Sequence, residues 1–107
     1  MKNLTVAIDG NFEFPTWCRR PSDYVNARSL AAGAAEDTTV PVGAGKVLFS
    51  STGNFYAKPG TGAAAVPGDV TDGTAAELNP SSWVVIAGDV ISVIAPVACI
   101  LTLSYYK

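Results

Sequence analysis

The chain contains no histidine, which removes the most common general base and the usual proton-carrying member of a hydrolytic triad. Cysteine is nearly absent as well. Cys18 and Cys99 lie far apart, show no CxxC spacing and have no histidine to complete a zinc set, so neither a metal site nor a disulfide scaffold is implied. Nearby Arg19 and Arg20 favour the thiolate at Cys18, whereas Cys99 lies in an apolar run where a thiol acts as a small hydrophobe; the residues leave their pairing open. Charge is scarce too: 15% of residues are ionic, against roughly 25% in an average soluble domain. Seven basic and nine acidic residues give a formal charge of −2, without the positive field that attraction to nucleic acid requires. Arg19, Arg20 and Arg28 form the only basic cluster and are expected on a solvated loop or as ion-pair partners of Asp23 and Glu36.

No leader for export is expected, because Asp9, Asn11 and Glu13 interrupt the segment after Lys2. The run from Trp83 to Tyr106 is long enough to span a bilayer, yet Gly88-Asp89 and Pro96 cut it, and its Val, Ile, Thr and Tyr content suits strands. A buried β-meander is expected there, and no membrane partner.

What is plentiful is apolar and small: 49% of the 107 residues are hydrophobic, in short runs separated by turn residues. Leu4, Val6 and Ile8 alternate with smaller residues, Asp9-Gly10 turns the chain, and Phe12 and Phe14 follow before Pro15, which predicts a hairpin. Thr38 to Val42 is a β-branched stretch. Lys46 to Ser51, with Val47 and Phe49 on one face, is expected to form a second hairpin through Thr52-Gly53 with a strand ending at Pro59-Gly60. Trp83 to Ala87 and Val90 to Ala95 read as strands joined by a tight turn at Gly88-Asp89. In the final run Cys99, Leu101, Leu103 and Tyr105 share an apolar face, with Ile100, Thr102, Ser104 and Tyr106 on the other, the pattern of a central or near-central strand.

These runs predict an all-β fold: residues 1–107 as a single small β-sandwich or jelly-roll-like domain of about eight short strands. Two segments lack the period of two, about 16–37 and 61–82, and are expected to be long arms or loops. Within the first, the residues from Asp23 allow a short helix or an irregular edge strand. Such segments often lie across a neighbour in assemblies, and an ordered surface loop accounts for them equally well.

No chemical constellation stands out. Asp9, Glu13 and Asp89 sit at turn positions, where aspartate serves backbone hydrogen bonding. Asp69 to Gly73 lacks the ligand spacing of a calcium loop, and Gly43-Ala-Gly45-Lys46 precedes a strand where a phosphate loop needs a helix. Tyr56, Trp83 and Tyr106 are either core or interface aromatics or a sugar-stacking platform, the former being the default. No catalytic residue, cofactor or metal is assigned.

Two stretches, Thr39 to Pro59 and Glu77-Leu-Asn-Pro80 running through Ile91 to Tyr106, resemble small proteins of tailed bacteriophages and prophages encoded among virion structural genes. The resemblance covers about the last two-thirds of the chain and rests on packing and turn patterns. It implies a non-enzymatic structural protein of the virion, for instance a capsid decoration or cement protein, made in the host bacterial cytoplasm. Its partners would be the major capsid protein or other virion proteins, together with further copies of itself, a trimer among the arrangements. On that reading the contacts fall to Trp17, Arg19, Arg20 and Tyr24 in the first arm and Val66, Val70 and Leu78 in the second. A tail, fibre or glycan-binding receptor module is the competing expectation, and a small hydrolase a remote third.

Overall fold

The computed structural model describes residues 1–4, 6–8, 15–19 and 21–107, with 6–8 and 15–19 described by their backbone. The strands are β1 (Val6–Ile8), β2 (Pro15–Arg19), β3 (Val25–Leu30), β4 (Glu36–Thr39), β5 (Lys46–Ser51), β6 (Tyr56–Pro59), β7 (Glu77–Leu78), β8 (Ser82–Val84), β9 (Val90–Ile94) and β10 (Cys99–Tyr106). No helix occurs among the described residues. Eight strands build two four-stranded antiparallel sheets, ordered β3-β10-β5-β8 and β4-β9-β6-β7, while β1 and β2 form a ribbon of their own.

The pairing follows a simple rule. β3 pairs with β10, β4 with β9, β5 with β8 and β6 with β7, as in one long hairpin whose apex is the connection from β6 to β7. Two further ladders, β10 with β5 and β9 with β6, roll that hairpin into a sandwich. This is the strand order of an eight-stranded jelly roll. Every connection between consecutive strands from β3 onward changes sheet, except that between β6 and β7.

Alternation fixes what each strand buries. On β10, Leu101, Leu103 and Tyr105 point between the sheets beside Leu30 of β3 and Val47 of β5, and they meet Ala57, Ile91 and Val93 of the opposite sheet in one core. Ser92 and Ile94 point away from that core yet are also buried. The β6–β7 connection covers them: the Ala64 N–H donates to Ser92 Oγ at 3.0 Å, the Gly62 N–H donates to the Asp37 carboxylate at 3.0 and 3.1 Å, and Lys58 Nζ donates to the Thr74 carbonyl at 2.6 Å. Asp72 adds a local turn, accepting from the Thr74 hydroxyl at 2.6 Å and its N–H at 3.2 Å, bonds that hold its carboxyl below the ordinary range.

Several expected pairings are corrected. β5 and β6 are strands, but Thr52-Gly53 carries the chain across to the other sheet and does not close a hairpin. Likewise Gly88-Asp89 makes a tight turn, with the Ile86 N–H donating to Asp89 Oδ2 at 3.2 Å, yet β8 and β9 belong to different sheets, so the run from Trp83 is extended without being a meander. The first ribbon pairs Val6 with Arg19 and Ile8 with Pro15, so its second strand begins at Pro15, a position a strand tolerates because the missing N–H falls at its start. Asp9-Gly10, Phe12 and Phe14 lie outside the described residues. The β-branched stretch from Thr38 contributes only Thr38 and Thr39 to β4, which starts earlier, at Glu36. Of the two forms expected within segment 16–37, the edge strand is the one present, as β3, and the short helix is not formed. Lys2 and Asp23 clasp the ends of the stretch that bears the ribbon, through a 3.1 Å bond from the Lys2 N–H to Asp23 Oδ1.

Leu103 is fully buried at the centre of the central strand. Leu103→Ala is expected to lower the unfolding free energy by about 2–5 kcal/mol in a urea titration, with the β-type circular dichroism retained.

Candidate interaction surfaces

The two sheets present different outer faces. Away from the core, β3 shows Val25, Ala27 and Ser29, β10 shows Ile100 and Thr102, β5 shows Lys46, Leu48 and Ser50, and β8 shows Ser82 and Val84, while Ser104 and Tyr106 of β10 point the same way but are buried. Lys46 is the one charge in this row, and its Nζ donates to the Lys107 carbonyl at 2.6 Å. Val25 and Ile100 are about half exposed, at 52% and 50%. A solvated antiparallel face ordinarily carries polar and charged side chains, so this one is suited to contact.

Charge is gathered on the opposite side. Asp37 and Lys58 project from the β4-β9-β6-β7 sheet and hold the connection that covers it, which itself carries Asp69 and Asp72. Between Pro59 and Tyr106 the chain has Asp69, Asp72, Glu77 and Asp89 and no lysine or arginine.

At one end of the sandwich the β4–β5 and β8–β9 turns are tied together by bonds from the Val85 N–H to the Gly45 carbonyl (2.9 Å) and from the Val40 N–H to the Asp89 carbonyl (2.8 Å). Three aliphatic side chains cluster on this end almost wholly in solvent: Val42 is 93% exposed, Val84 88% and Ile86 72%. Gly45 also lies close against the chain after β10, where a Cβ would meet the Lys107 carbonyl carbon at 3.1 Å.

At the other end residues 49–55 and 79–81 line an open depression of about 450 Å³. Its wall carries no charge and sets Ser50, Ser51, Thr52, Asn54, Asn79 and Ser81 beside Phe49, Phe55 and Pro80. Asn79, at φ 48°, ties the two segments: its N–H donates to the Phe55 carbonyl, its Oδ1 accepts from the Phe55 N–H, both at 2.9 Å, and its Nδ2 donates to Asn54 Oδ1 at 3.0 Å.

Along one flank, β3 and β4 are both edge strands and face each other across a groove of about 420 Å³. Arg28 points inward from β3 and meets Glu36 of β4 at 2.8 Å, while also donating to the Asp37 carbonyl at 3.1 Å. Glu36 was an expected arginine partner; Asp23 accepts from the Lys2 N–H at 3.1 Å, and the Arg19 and Arg20 side chains that were its expected partners are not among those described. Thr38 Oγ1, on the wall of this groove, is buried without a hydrogen-bond partner, and so is the Tyr105 hydroxyl in the core.

The contact residues expected from sequence do not converge. Tyr24 lies just before β3, partly exposed and edge-on to Tyr105 at 5.8 Å. Val66 and Val70 are exposed on the β6–β7 connection, and Leu78 is exposed on β7, all belonging to the other half of the sandwich. Trp17 and Arg19 lie on β2, where the backbone alone is described, and Arg20 lies outside the described residues. The aromatics weighed as a sugar platform are dispersed. Tyr106 is fully buried, Trp83 packs edge-on to Phe49 at 5.2 Å with its Nε1 donating to Glu77 at 3.0 Å, and Tyr56 stands on the other sheet.

Sequence reading missed Val42, Val84 and Ile86, because alternation in a three-residue strand does not reveal which side faces water. Among the described residues no group of three or more carboxylates and thiols is placed to hold a metal ion, and no helix is long and apolar enough to cross a membrane. Comparison with protein-family models, with curated proteins and with solved structures gave no match to this chain.

Two outcomes are expected from the buried hydroxyls. Ser92→Ala strands the buried Ala64 N–H, so a loss of about 1–3 kcal/mol in chemical unfolding should accompany faster proteolysis within residues 62–74. Burial, with a smaller push from Tyr24 and against the opposing pull of Arg28, raises the Tyr105 phenol to about 12 from the ordinary 10.0. The unfolded chain therefore releases this proton first, and stability contributed by the neutral phenol is present below pH 10 and falls as pH climbs toward 12. Tyr105→Phe removes an unpartnered hydroxyl, so it should change neutral-pH stability by less than about 1 kcal/mol and flatten the alkaline limb of a pH–stability profile.

Proposed function

We propose that this protein is a non-enzymatic structural component of a bacteriophage virion, a capsid decoration or cement protein that acts by burying surface against the shell and against copies of itself. The observation that carries the reading is the outer face of the β3-β10-β5-β8 sheet, uncharged but for Lys46, with Val25, Ile100 and Val84 in solvent and Val42 and Ile86 at its rim. Water is a poor solvent for such a face, and covering it at roughly 25 cal/mol per Å² of apolar area favours attachment. Many weak copies on a symmetric shell then act together. Asp37, Asp69 and Asp72, set against Lys58, lie with the roofed sheet and the connection over it, and leave that side of the attached molecule hydrated and acidic. The jelly roll itself is shared by viral capsid proteins and lectins, an analogy of architecture that supports the reading without fixing a site.

A second reading, a tail or fibre module that binds glycan, draws on the neutral depression walled by serine, threonine and asparagine. Hydroxyl and amide groups of this kind hydrogen-bond sugars, and the partly buried Phe49 is the aromatic side chain that lines the depression beside them.

Virus particles made with and without this gene, imaged by electron cryomicroscopy, should differ by density on the capsid exterior. An Ile100→Lys, Val84→Lys double variant should weaken attachment to purified shells at least about tenfold, the equivalent of 1.4 kcal/mol. Density on the tail together with glycan binding would favour the second reading, and particles that never carry the protein would refute both.

A further inference from the structure

The four exposed sheet edges are unequal. β4, β7 and β8 have four, two and three residues, lengths that blunt an edge, whereas β3 has six and carries neither proline nor lysine. Its open backbone groups can be identified. The Tyr105 N–H donates to the Tyr24 carbonyl and the Thr52 N–H donates to the Ile100 carbonyl, so odd residues of β10 bond to β3 and even ones to β5. By antiparallel alternation Asn26, Arg28 and Leu30 spend their groups on β10, and the N–H and C=O groups of Val25, Ala27 and Ser29 point out of the sheet edge.

We infer that this edge is the site of self-association: two copies pair β3 with β3 across a two-fold axis that passes through Ala27. The occupant is a second copy because the strand is complementary to itself in one register. Residues facing each other across a ladder must share a side of the sheet, so the axis falls on a residue and not between two. On Ala27 it opposes Val25 to Ser29, Ala27 to Ala27 and Ser29 to Val25, and every one of these pairs is of the outward-bonding kind that exchanges two hydrogen bonds. An axis on Asn26 leaves Ser29 opposite residue 23, outside the strand, and one on Arg28 sets two guanidinium groups face to face.

Charge agrees with this choice. An inward charge on an edge strand ordinarily discourages pairing, but Arg28 is neutralised by Glu36, and the Ala27 register places it opposite the partner's Asn26. The same axis brings the two β3–β4 grooves together. Thr38, whose buried hydroxyl has no partner among the described residues, then lies in a space closed by a second set of donors. The outcome is an eight-stranded sheet whose outer faces, each charged only at Lys46, are continuous across β3, which specifies the self-association in the functional reading above while being testable without any virus particle.

Sedimentation equilibrium of the full chain over the micromolar range should give twice the 11.0 kDa mass. Ala27→Pro removes an N–H that the fold does not use, at an edge position that accepts proline, and should raise the dimer dissociation constant at least about tenfold with unchanged circular dichroism. In a Cys18→Ser background, Ala27→Cys should form a disulfide-linked dimer under mild oxidation, because hydrogen-bonded partners have Cα atoms about 5.5 Å apart. Ser29→Cys, opposite Val25, should not. A monomer, a trimer, a dimer that Ala27→Pro leaves intact, or equal cross-linking at both positions would overturn the inference. Should Ala27→Pro fail to fold, the cross-linking pair decides alone. Failure here leaves attachment to the shell standing as a separate question.

Discussion

The ladders that β10 makes on both sides hold the rest of the molecule in place. This strand binds β3 along one edge and β5 along the other, and sends Leu101, Leu103 and Tyr105 into the space between the sheets. Since it is the partner of the first strand of the roll, its ladder closes the long hairpin and sets which edges remain open. β9 repeats the arrangement between β4 and β6, and the core is largely the meeting of these two central strands.

Two outer faces result, and they are treated differently. The β4-β9-β6-β7 sheet is roofed by its own chain, with Ser92 and Asp37 as the pegs. Its partner sheet has no such roof over Val25, Ala27, Ser29 and Ile100, which face water without charge. That difference is what the surface-contact role proposed above draws on, with one face to offer and one to keep hydrated.

Much of the fold is legible in the amino-acid order because alternation is local. The inward row of β10, the strand at Lys46 to Ser51 and the break at Gly88-Asp89 all follow from residues within a few positions of one another. Pairing is not local. Thr52-Gly53 has the same composition whether its strands lie side by side or on opposite sheets, so two expected hairpins proved to be crossovers. β3 was obscured for a different reason: its inward row is Asn26, Arg28 and Leu30, two of them polar because an edge strand lines a groove reached by solvent, and that erases the hydrophobic signal. The surfaces were harder still. Tyr24, Val66, Val70 and Leu78 are exposed as expected of contact residues, yet they sit on different halves, while the cluster of Val42, Val84 and Ile86 depends on turns brought together only by the roll.

The pairing of early strands with late ones also dictates a schedule of assembly during synthesis. β3 and β5 have no common neighbour until β10 has been made, and β4 and β6 wait in the same way for β9. Before β9 and β10 exist only the β5–β8 and β6–β7 ladders of the sandwich can form, so β3 and β4 wait unpaired, and closing contacts so distant in sequence makes for slow folding, on the order of the millisecond-to-second scale typical of such β topologies. Until β10 docks, the apolar stretches around it are open to aggregation, and prompt arrival of β10 becomes an advantage in its own right.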